Sequence, residues 1–290
     1  MTGSPLPLTL ADRVHAATRQ LEHAGLAPHD ARLDAEVLAR HVLSWPRSRY
    51  LAALRDAAPP ELGAAYETLI ARRCHREPVS QITGHREFWG REMWVTRNVL
   101  TPRPETELLV EAALEWARER SGLTVLDLGT GSGCLAVTLA AELPDSRVTA
   151  VDVSPAALAV ARQNASHHHV GERITFVETS WTDGLQGRFD LIVTNPPYIR
   201  DGEVEQLQPE VRDHEPRLAL TAGLDGFDAI RAILDTAPDQ LASDGRLLVE
   251  IGAGQEGALG QIVGQRGELT LRDVRADLQG IPRVAVIDRG

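Results

Sequence analysis

Val125-Leu126-Asp127-Leu128-Gly129-Thr130-Gly131-Ser132-Gly133 reads as an apolar strand that runs into a glycine-rich turn, and Cys134 to Ala141 then reads as a helix. Glycines let a backbone approach a ligand with no Cβ in the way, and a helix N-terminus offers unpaired N–H groups to a carboxylate. Asp152 closes the next strand 19 residues after Gly133 (152 − 133), where its carboxylate can accept hydrogen bonds from both hydroxyls of a ribose. On its own the run leaves two other readings open. Gly131 to Ala136 also satisfies a looser dinucleotide fingerprint, and the glycines can serve only as a tight turn.

Outward from this run, apolar stretches alternate with helical ones: Val148 to Val153, Ile174 to Val177, Leu191 to Thr194 and Leu247 to Ile251. Strands alternating with helices predict an α/β domain with a mostly parallel sheet covered on both faces. Two further strand candidates, Leu269 to Val274 and Val284 to Ile287, are separated by a short connection with Gly280 and Pro282, and predict a C-terminal antiparallel hairpin.

The second informative motif is Phe189-Asp190-Leu191-Ile192-Val193-Thr194-Asn195-Pro196-Pro197-Tyr198, which sets Asn-Pro-Pro-Tyr after an apolar strand. That is the edge where open α/β sheets bind ligands. Both prolines fix φ and lack an N–H, so the loop is stiff and its carbonyls stay free to accept. An amide nitrogen is a poor nucleophile because its lone pair is delocalised. Acceptors from the Asn195 side chain and the Pro196 carbonyl would pin such an amide through its N–H groups, with Tyr198 stacked on its plane. A proline-stiffened surface turn is the plainer alternative.

Before the α/β region, apolar residues three and four apart predict helices from residue 5 to about 77, on Leu10, Val14, Ala17 and Leu21 and then on Leu33, Val37, Leu38 and Val42. Thr9 and Ser48 are candidate caps, and Pro59-Pro60 punctuates the next helix. Glu87 to Val95 alternates around Gly90, as a β-hairpin does. The expected organisation is a helical domain over 1–78, a β-hairpin linker over 79–104 and the α/β domain over 105–290.

Composition narrows the chemistry. The 290 residues are 43% hydrophobic and 24% charged, with two cysteines, and every basic residue is arginine. A disulfide framework is out, as is any mechanism that needs a lysine. The net charge of −11 gives a field that repels polyanions, so nucleic acid is not the expected partner. Without a run of ~20 apolar residues, and with Met1-Thr2-Gly3-Ser4-Pro5 lacking a signal-like pattern, a cytoplasmic protein is expected. His167-His168-His169 are adjacent and do not converge as metal ligands, so no metal site is expected. Cys134 reads as a packing residue, and Trp181 reads equally as core or as a platform for an adenine ring.

The whole pattern resembles the release-factor glutamine methyltransferases (PrmC, also called HemK). The resemblance rests on both motifs and on Arg76-Glu77-Pro78, Gln81-Ile82-Thr83-Gly84, Glu87-Phe88-Trp89-Gly90, Val99-Leu100-Thr101-Pro102-Arg103-Pro104-Glu105-Thr106-Glu107, Pro209-Glu210-Val211, Glu215-Pro216, Ala219-Leu220 and Gly223-Leu224-Asp225-Gly226. Thr101 stands where that family usually has isoleucine, and the first seventy residues match only in helical pattern.

The resemblance implies a Rossmann-like S-adenosylmethionine-dependent methyltransferase domain behind a helical domain that docks the protein substrate. It implies that Gly129, Thr130, Gly131, Ser132, Gly133, Asp152, Trp181 and Asn195 contact S-adenosylmethionine, and that Asn195, Pro196, Pro197 and Tyr198 hold the substrate amide, with Asn195, Pro196 and Tyr198 catalytic. The implied substrate is the glutamine of the Gly-Gly-Gln loop in class 1 peptide-chain release factors. A related enzyme methylates a glutamine on a large-subunit ribosomal protein, and adenine methyltransferases of DNA or RNA use the same four-residue loop. The adenine reading would require base flipping and a basic groove. A non-catalytic module that kept the fold is the remaining alternative.

Overall fold

The computed structural model describes residues 8–290; the opening Met1-Thr2-Gly3-Ser4-Pro5, read above for a targeting signal, and the first residues of the expected helical region lie outside them. The described chain divides into two compact units, one of residues 8–84 with Pro209–His214 and one of His85–Gln208 with Glu215–Gly290.

The helical unit contains α1 (Leu10–His23), α2 (Pro28–Leu43), α3 (Arg47–Ala52), α4 (Gly63–Cys74) and α5 (Val79–Thr83). Thr9 starts α1 with a reciprocal capping box: its Oγ1 accepts from the Asp12 N–H at 3.1 Å while the Asp12 carboxylate accepts from the Thr9 N–H at 3.0 Å. Such a cap contributes about 1 kcal/mol. Leu10, Val14, Ala17 and Leu21 form the buried face as expected.

Two expectations fail in this unit. Ser48 caps nothing, because α3 begins at Arg47 with Pro46 at its N-cap. On α2, Leu38 is buried and Val42 packs on the core as expected, but the rest of the buried stripe is Ala31, Ala35 and Ala39, while Leu33 is 45% exposed. Alanines let α2 approach its neighbours closely, which leaves room for Leu38 but not for Leu33 in the seam.

Arg73 is the buried charge of this unit, 5% exposed. Its Nε donates to Asp34 at 2.7 Å and its Nη2 to Glu210 at 2.8 Å, and Arg76 reaches the other oxygen of Glu210 at 2.8 Å. A buried guanidinium is tolerated only when paired in this way. The stretch Pro209–His214 is held further by Gln81, whose Nε2 donates to the His214 carbonyl at 3.0 Å.

The second unit opens with a hairpin, β1 (His85–Phe88) and β2 (Arg91–Trp94), followed by α6 (Glu107–Ala117). The alternation then runs β3 (Thr124–Leu128), α7 (Cys134–Glu142), β4 (Arg147–Asp152), α8 (Pro155–His167), β5 (Ile174–Glu178) and β6 (Phe189–Thr194). After β6 the chain makes the short α9 (Pro209–Arg212) within the helical unit, then returns for α10 (Asp228–Gln240), β7 (Leu241–Glu250), α11 (Glu256–Gly264), β8 (Leu269–Ala276) and β9 (Pro282–Arg289). Pro282 therefore begins a strand and is not part of the connection.

The seven-stranded sheet has the order β5-β4-β3-β6-β7-β9-β8, parallel from β5 to β7, with β9 and β8 antiparallel at one end. Its strands alternate between two cores. Val125, Leu191, Val193 and Leu248 face the cluster with α6 and α7, while Leu126, Ile192, Leu247 and Val249 face the one with α10 and α11. This is the period of two that a doubly covered strand requires. Strand order reverses between β3 and β6, so the loops after these two strands share the switch point where open sheets bind ligands. No described helix is long and apolar enough to cross a membrane.

Candidate active site

At the end of β3 the chain turns through Gly129, Gly131 and Gly133 with φ of 70°, 55° and 80°. Side chains with a Cβ are strained in this region, which accounts for three alternate glycines. Beneath the turn, the Asp127 Oδ2 accepts from the Thr130 hydroxyl at 2.6 Å and from the Ala136 N–H at 3.1 Å, tying strand, loop and helix together. Asp127 is 1% exposed, and burial pushes its carboxyl up to about 7.

Asp152, the last residue of β4, packs beside the turn. Its Oδ2 accepts from the Gly131 N–H and its Oδ1 from the Ser154 N–H, both at 2.9 Å, so the carboxylate has a fixed orientation. Asn164, fully buried on α8, donates to the Ser132 carbonyl at 2.8 Å and exchanges two hydrogen bonds with the Trp94 backbone. The hairpin thereby braces the glycine turn. Trp181 packs on the core with α10 and also lines the cavity over the turn, so both readings of it hold. A Cβ on Gly129 would lie 3.6 Å from the Trp181 ring.

The loop after β6 is anchored at both ends. Asn195 Nδ2 donates to the Thr106 hydroxyl at 3.0 Å, and the Tyr198 carbonyl accepts from Gln255 Nε2 at 3.2 Å. Beyond it, Ile199 pairs with the Leu220–Ala222 strip through N–H to carbonyl bonds of 2.9 Å in each direction. Burial, and secondarily the nearby Glu250, pushes the Tyr198 phenol up to about 12. Glu250 ends β7, is 2% exposed, and is itself pushed up to about 7, chiefly by burial. On the other flank, Arg103 bonds the buried Glu215 at 2.5 Å, and Glu215 also accepts from the Thr101 N–H at 3.3 Å.

These elements enclose a cavity of about 500 Å³ lined by Gly129, Thr130, Gly131, Ser132, Asp152, Trp181, Asn195 and Pro197, together with Arg103 and Thr106. That is ample for a nucleoside-sized ligand. Gly133, Pro196 and Tyr198 are outside the lining. Gly133 instead meets α8, where a Cβ would come 2.9 Å from the Ala161 Cβ. Cys134 reaches the lining, but burial pushes its thiol up to about 12, so it is not a poised nucleophile. Of the histidine run, His168 meets the Glu92 carbonyl at 2.8 Å and His167 lies edge-on to Trp94.

Thr106, Glu250, Gln255 and Asn164 were not singled out by sequence reasoning. Glu250 carried a usable signal, a lone charge at the carboxyl end of the apolar run Leu247-Leu248-Val249.

A parallel sheet with a glycine turn and an Asn-Pro-Pro-Tyr loop at its switch point defines a methyltransferase, and residues 104–211 match the family model for the methyltransferase small domain. Residues 13–84 match the model for the PrmC N-terminal domain, so the early helices carry more of the family pattern than their periodicity alone conveyed. The chain is 47% identical to the release factor glutamine methyltransferase of Cereibacter sphaeroides across 94% of its own length and 96% of that protein. It is 40% identical to that of Koribacter versatilis across 96% and 98%. The chain belongs to the release factor glutamine methyltransferase family. Among solved structures, a methyltransferase from Pyrococcus furiosus matches 76% of this chain and 96% of its own at 18% identity with a TM-score of 0.52. The hMettl16 catalytic domain, solved with the MAT2A 3'UTR hairpin 6, matches 76% and 81% at 16% identity with a TM-score of 0.58. These two speak to the fold alone.

Proposed function

We propose that this protein transfers the methyl group of S-adenosylmethionine to the side-chain amide nitrogen of the glutamine in the Gly-Gly-Gln loop of class 1 peptide-chain release factors. The observation that carries this reading is the commitment of Asn195 Nδ2 to Thr106, which leaves Oδ1 as the polar atom that Asn195 can offer the cavity. An acceptor is what a substrate amide, presenting N–H groups, requires.

The cavity suits the cofactor by its chemistry. Gly129 and Gly131 line the cavity with backbone at the positive φ the turn requires, Asp152 is oriented by Gly131 and Ser154 with lone pairs left for a ribose, and Trp181 offers an aromatic face. When bound, S-adenosylmethionine supplies a sulfonium methyl open to displacement. The protein's part is alignment: Asn195 Oδ1 and the Pro196 carbonyl hold the amide plane so that nitrogen faces that methyl at ~3 to 3.5 Å. The same acceptors offset the positive charge that grows on nitrogen. Pro197 walls the pocket, and Tyr198, held by Gln255, backs the loop from outside it.

A Gly-Gly-Gln loop supplies the reacting atom but few contacts, so orientation has to come from a wider protein surface. We assign that docking to the helical region, residues 1–78, with the hairpin region 79–104 leading into the catalytic residues 105–290. A partner of the translation apparatus implies action in the cytoplasm.

The test is methyl transfer from labelled S-adenosylmethionine to an intact release factor, with the site located by peptide mass spectrometry. Label on the loop glutamine is expected. Label on a ribosomal protein or on adenine, with the release factor unmodified, would overturn the reading.

A further inference from the structure

We propose that Arg103 is the carboxylate subsite of the cavity: its guanidinium, seated on the buried Glu215, receives the α-carboxylate at the methionine end of S-adenosylmethionine. This rests on the cofactor reading given above, which the glycine turn and Asp152 carry without Arg103.

The sequence makes Arg103 a stiff projection. It stands between Pro102 and Pro104, and a residue before proline is confined to extended backbone, here with φ −101° and ψ 143°. Pro104 then opens a tight turn, Pro104–Thr106, whose last residue accepts from Asn195 Nδ2 at 3.0 Å. Arg103 is thus tied through one short turn to the Asn-Pro-Pro-Tyr loop.

The pairing with Glu215 orients the guanidinium without consuming it. Arg103 Nη2 donates to Glu215 Oε2 at 2.5 Å, and Glu215 Oε1 accepts from the Thr101 N–H at 3.3 Å. The Glu215 side chain is 1% exposed and that of Arg103 34%, so the carboxylate is the fixed seat and the guanidinium the open face. A guanidinium carries five N–H donors, and Glu215 takes one of them. The others have no hydrogen-bond partner among the described residues. Their planar fork matches a carboxylate, which can accept two of them side by side.

Charge decides which ligand group belongs there. Arg103 is the single basic residue among the described residues that line the cavity, whereas Asp152 and Asp228 are acidic. S-adenosylmethionine carries one anionic group, the carboxylate, beside its cationic sulfonium and ammonium, so the carboxylate is the complement of Arg103. Because Glu215 neutralises Arg103, the sulfonium does not meet an unopposed cation.

The position agrees with this. Asp152 ends β4 and Asn195 follows β6, with β3 and its glycine turn between them. Two strand spacings, roughly 10 Å, therefore separate the ribose end from the end beside Asn195. A methionine chain that leaves the ribose over the β3 turn arrives on the Arg103 side. The N-terminus of α7, the other place for a carboxylate, already holds the Asp127 carboxyl on the Ala136 N–H at 3.1 Å.

The experiment titrates the full-length protein calorimetrically with S-adenosylmethionine and with its decarboxylated analogue, which lacks only the carboxylate. The wild type should prefer S-adenosylmethionine by about 10- to 100-fold, the scale of a charge-assisted hydrogen bond. Arg103→Gln should lose most of that preference by weakening S-adenosylmethionine alone, with the analogue bound at least as well as before. Arg103→Gln/Glu215→Gln exchanges the buried ion pair for neutral groups and should behave alike; it decides the matter if R103Q leaves Glu215 unpaired and does not fold.

Equal wild-type affinity for the two compounds, or variants that keep the wild-type ratio of the two Kd values, would overturn the assignment. So would variants with unchanged cofactor affinity and a raised KM for release factor, a result that puts the guanidinium on the protein substrate. A wild type that binds neither compound would overturn the cofactor reading instead.

Discussion

A Cβ placed on Gly226 would lie 2.4 Å from the carbonyl oxygen of Tyr198. That contact is with backbone, and Gly226 has a φ of 80°, so neither side can yield cheaply. Gly226 and the strip before it therefore form the template on which the Asn-Pro-Pro-Tyr loop is shaped. Gly226→Ala should displace that loop, lower kcat at least tenfold and cost about 1 to 3 kcal/mol of stability. Affinity for S-adenosylmethionine should change little, since Gly129, Asp152 and Trp181 are not involved. Steady-state kinetics with calorimetric titration of the cofactor checks both halves.

Asp152→Ala should weaken S-adenosylmethionine and its demethylated product alike. Each charge-assisted bond lost to a ribose is worth ~1.5 to 3 kcal/mol, or roughly 10- to 150-fold in Kd. The substitution also frees the N–H groups of Gly131 and Ser154. Isothermal titration showing unchanged affinity, or tight binding of NAD in its place, would sink the assignment.

For Asn195→Ala the expectation is a loss of ~100- to 1,000-fold in turnover, as for other preorganised polar groups that act on a reacting centre. The folded fraction should barely fall, because the substitution removes one side-chain hydrogen bond, that to Thr106. Single-turnover methylation near the wild-type rate would reduce Asn195 to a structural residue.

Asp127 gives the protein a pH-dependent stability that is separable from catalysis. Its carboxyl is raised from 3.8 to about 7 by burial, so between those values the folded state holds a proton that the unfolded chain has released. Stability therefore falls as pH rises through this window, at up to about 1.4 kcal/mol per unit. Asp127→Asn should make the slope shallower. Urea midpoints at pH 4.5, 6 and 7.5 measure it directly.

Arg73→Met should destabilise the helical unit by about 3 kcal/mol, the lower end for breaking a buried ion pair, because Asp34 and Glu210 keep some access to water. Amide exchange should accelerate in α2, α4 and the stretch Pro209–His214, while β3 and β6 stay protected. Uniform protection across all of these would contradict the expectation.

Most of the sheet and both loops of the site were legible in the sequence because they depend on local rules. A strand buried on both faces has to be apolar throughout, and a turn at positive φ needs glycine, so Val125 to Gly133 declares itself. Asn195 to Tyr198 does so through its prolines. What could not be read was pairing across distance. Thr106 is one threonine among many until β6 brings Asn195 against it, and Gln255 is unremarkable until Gly226 and Gly252 leave room for Tyr198. The stripe of α2 was read only in part, Leu38 but not the alanines, for a related reason: periodicity counts large apolar residues, whereas the close contact also selected Ala31, Ala35 and Ala39.

The inclusion of Pro209–His214 in the helical unit has a consequence for biosynthesis. Arg73 leaves the ribosome long before Glu210, and the first stretch of the unit ends 130 residues before the last residue of the second (214 − 84). At ~5 to 20 residues per second, the helices wait roughly 6 to 26 s with a cation that lacks one of its two carboxylates. The helical unit is thus still unfinished long after its helices have emerged, and the nascent protein spends that interval with Arg73 short of one carboxylate partner and open to chaperones and proteases.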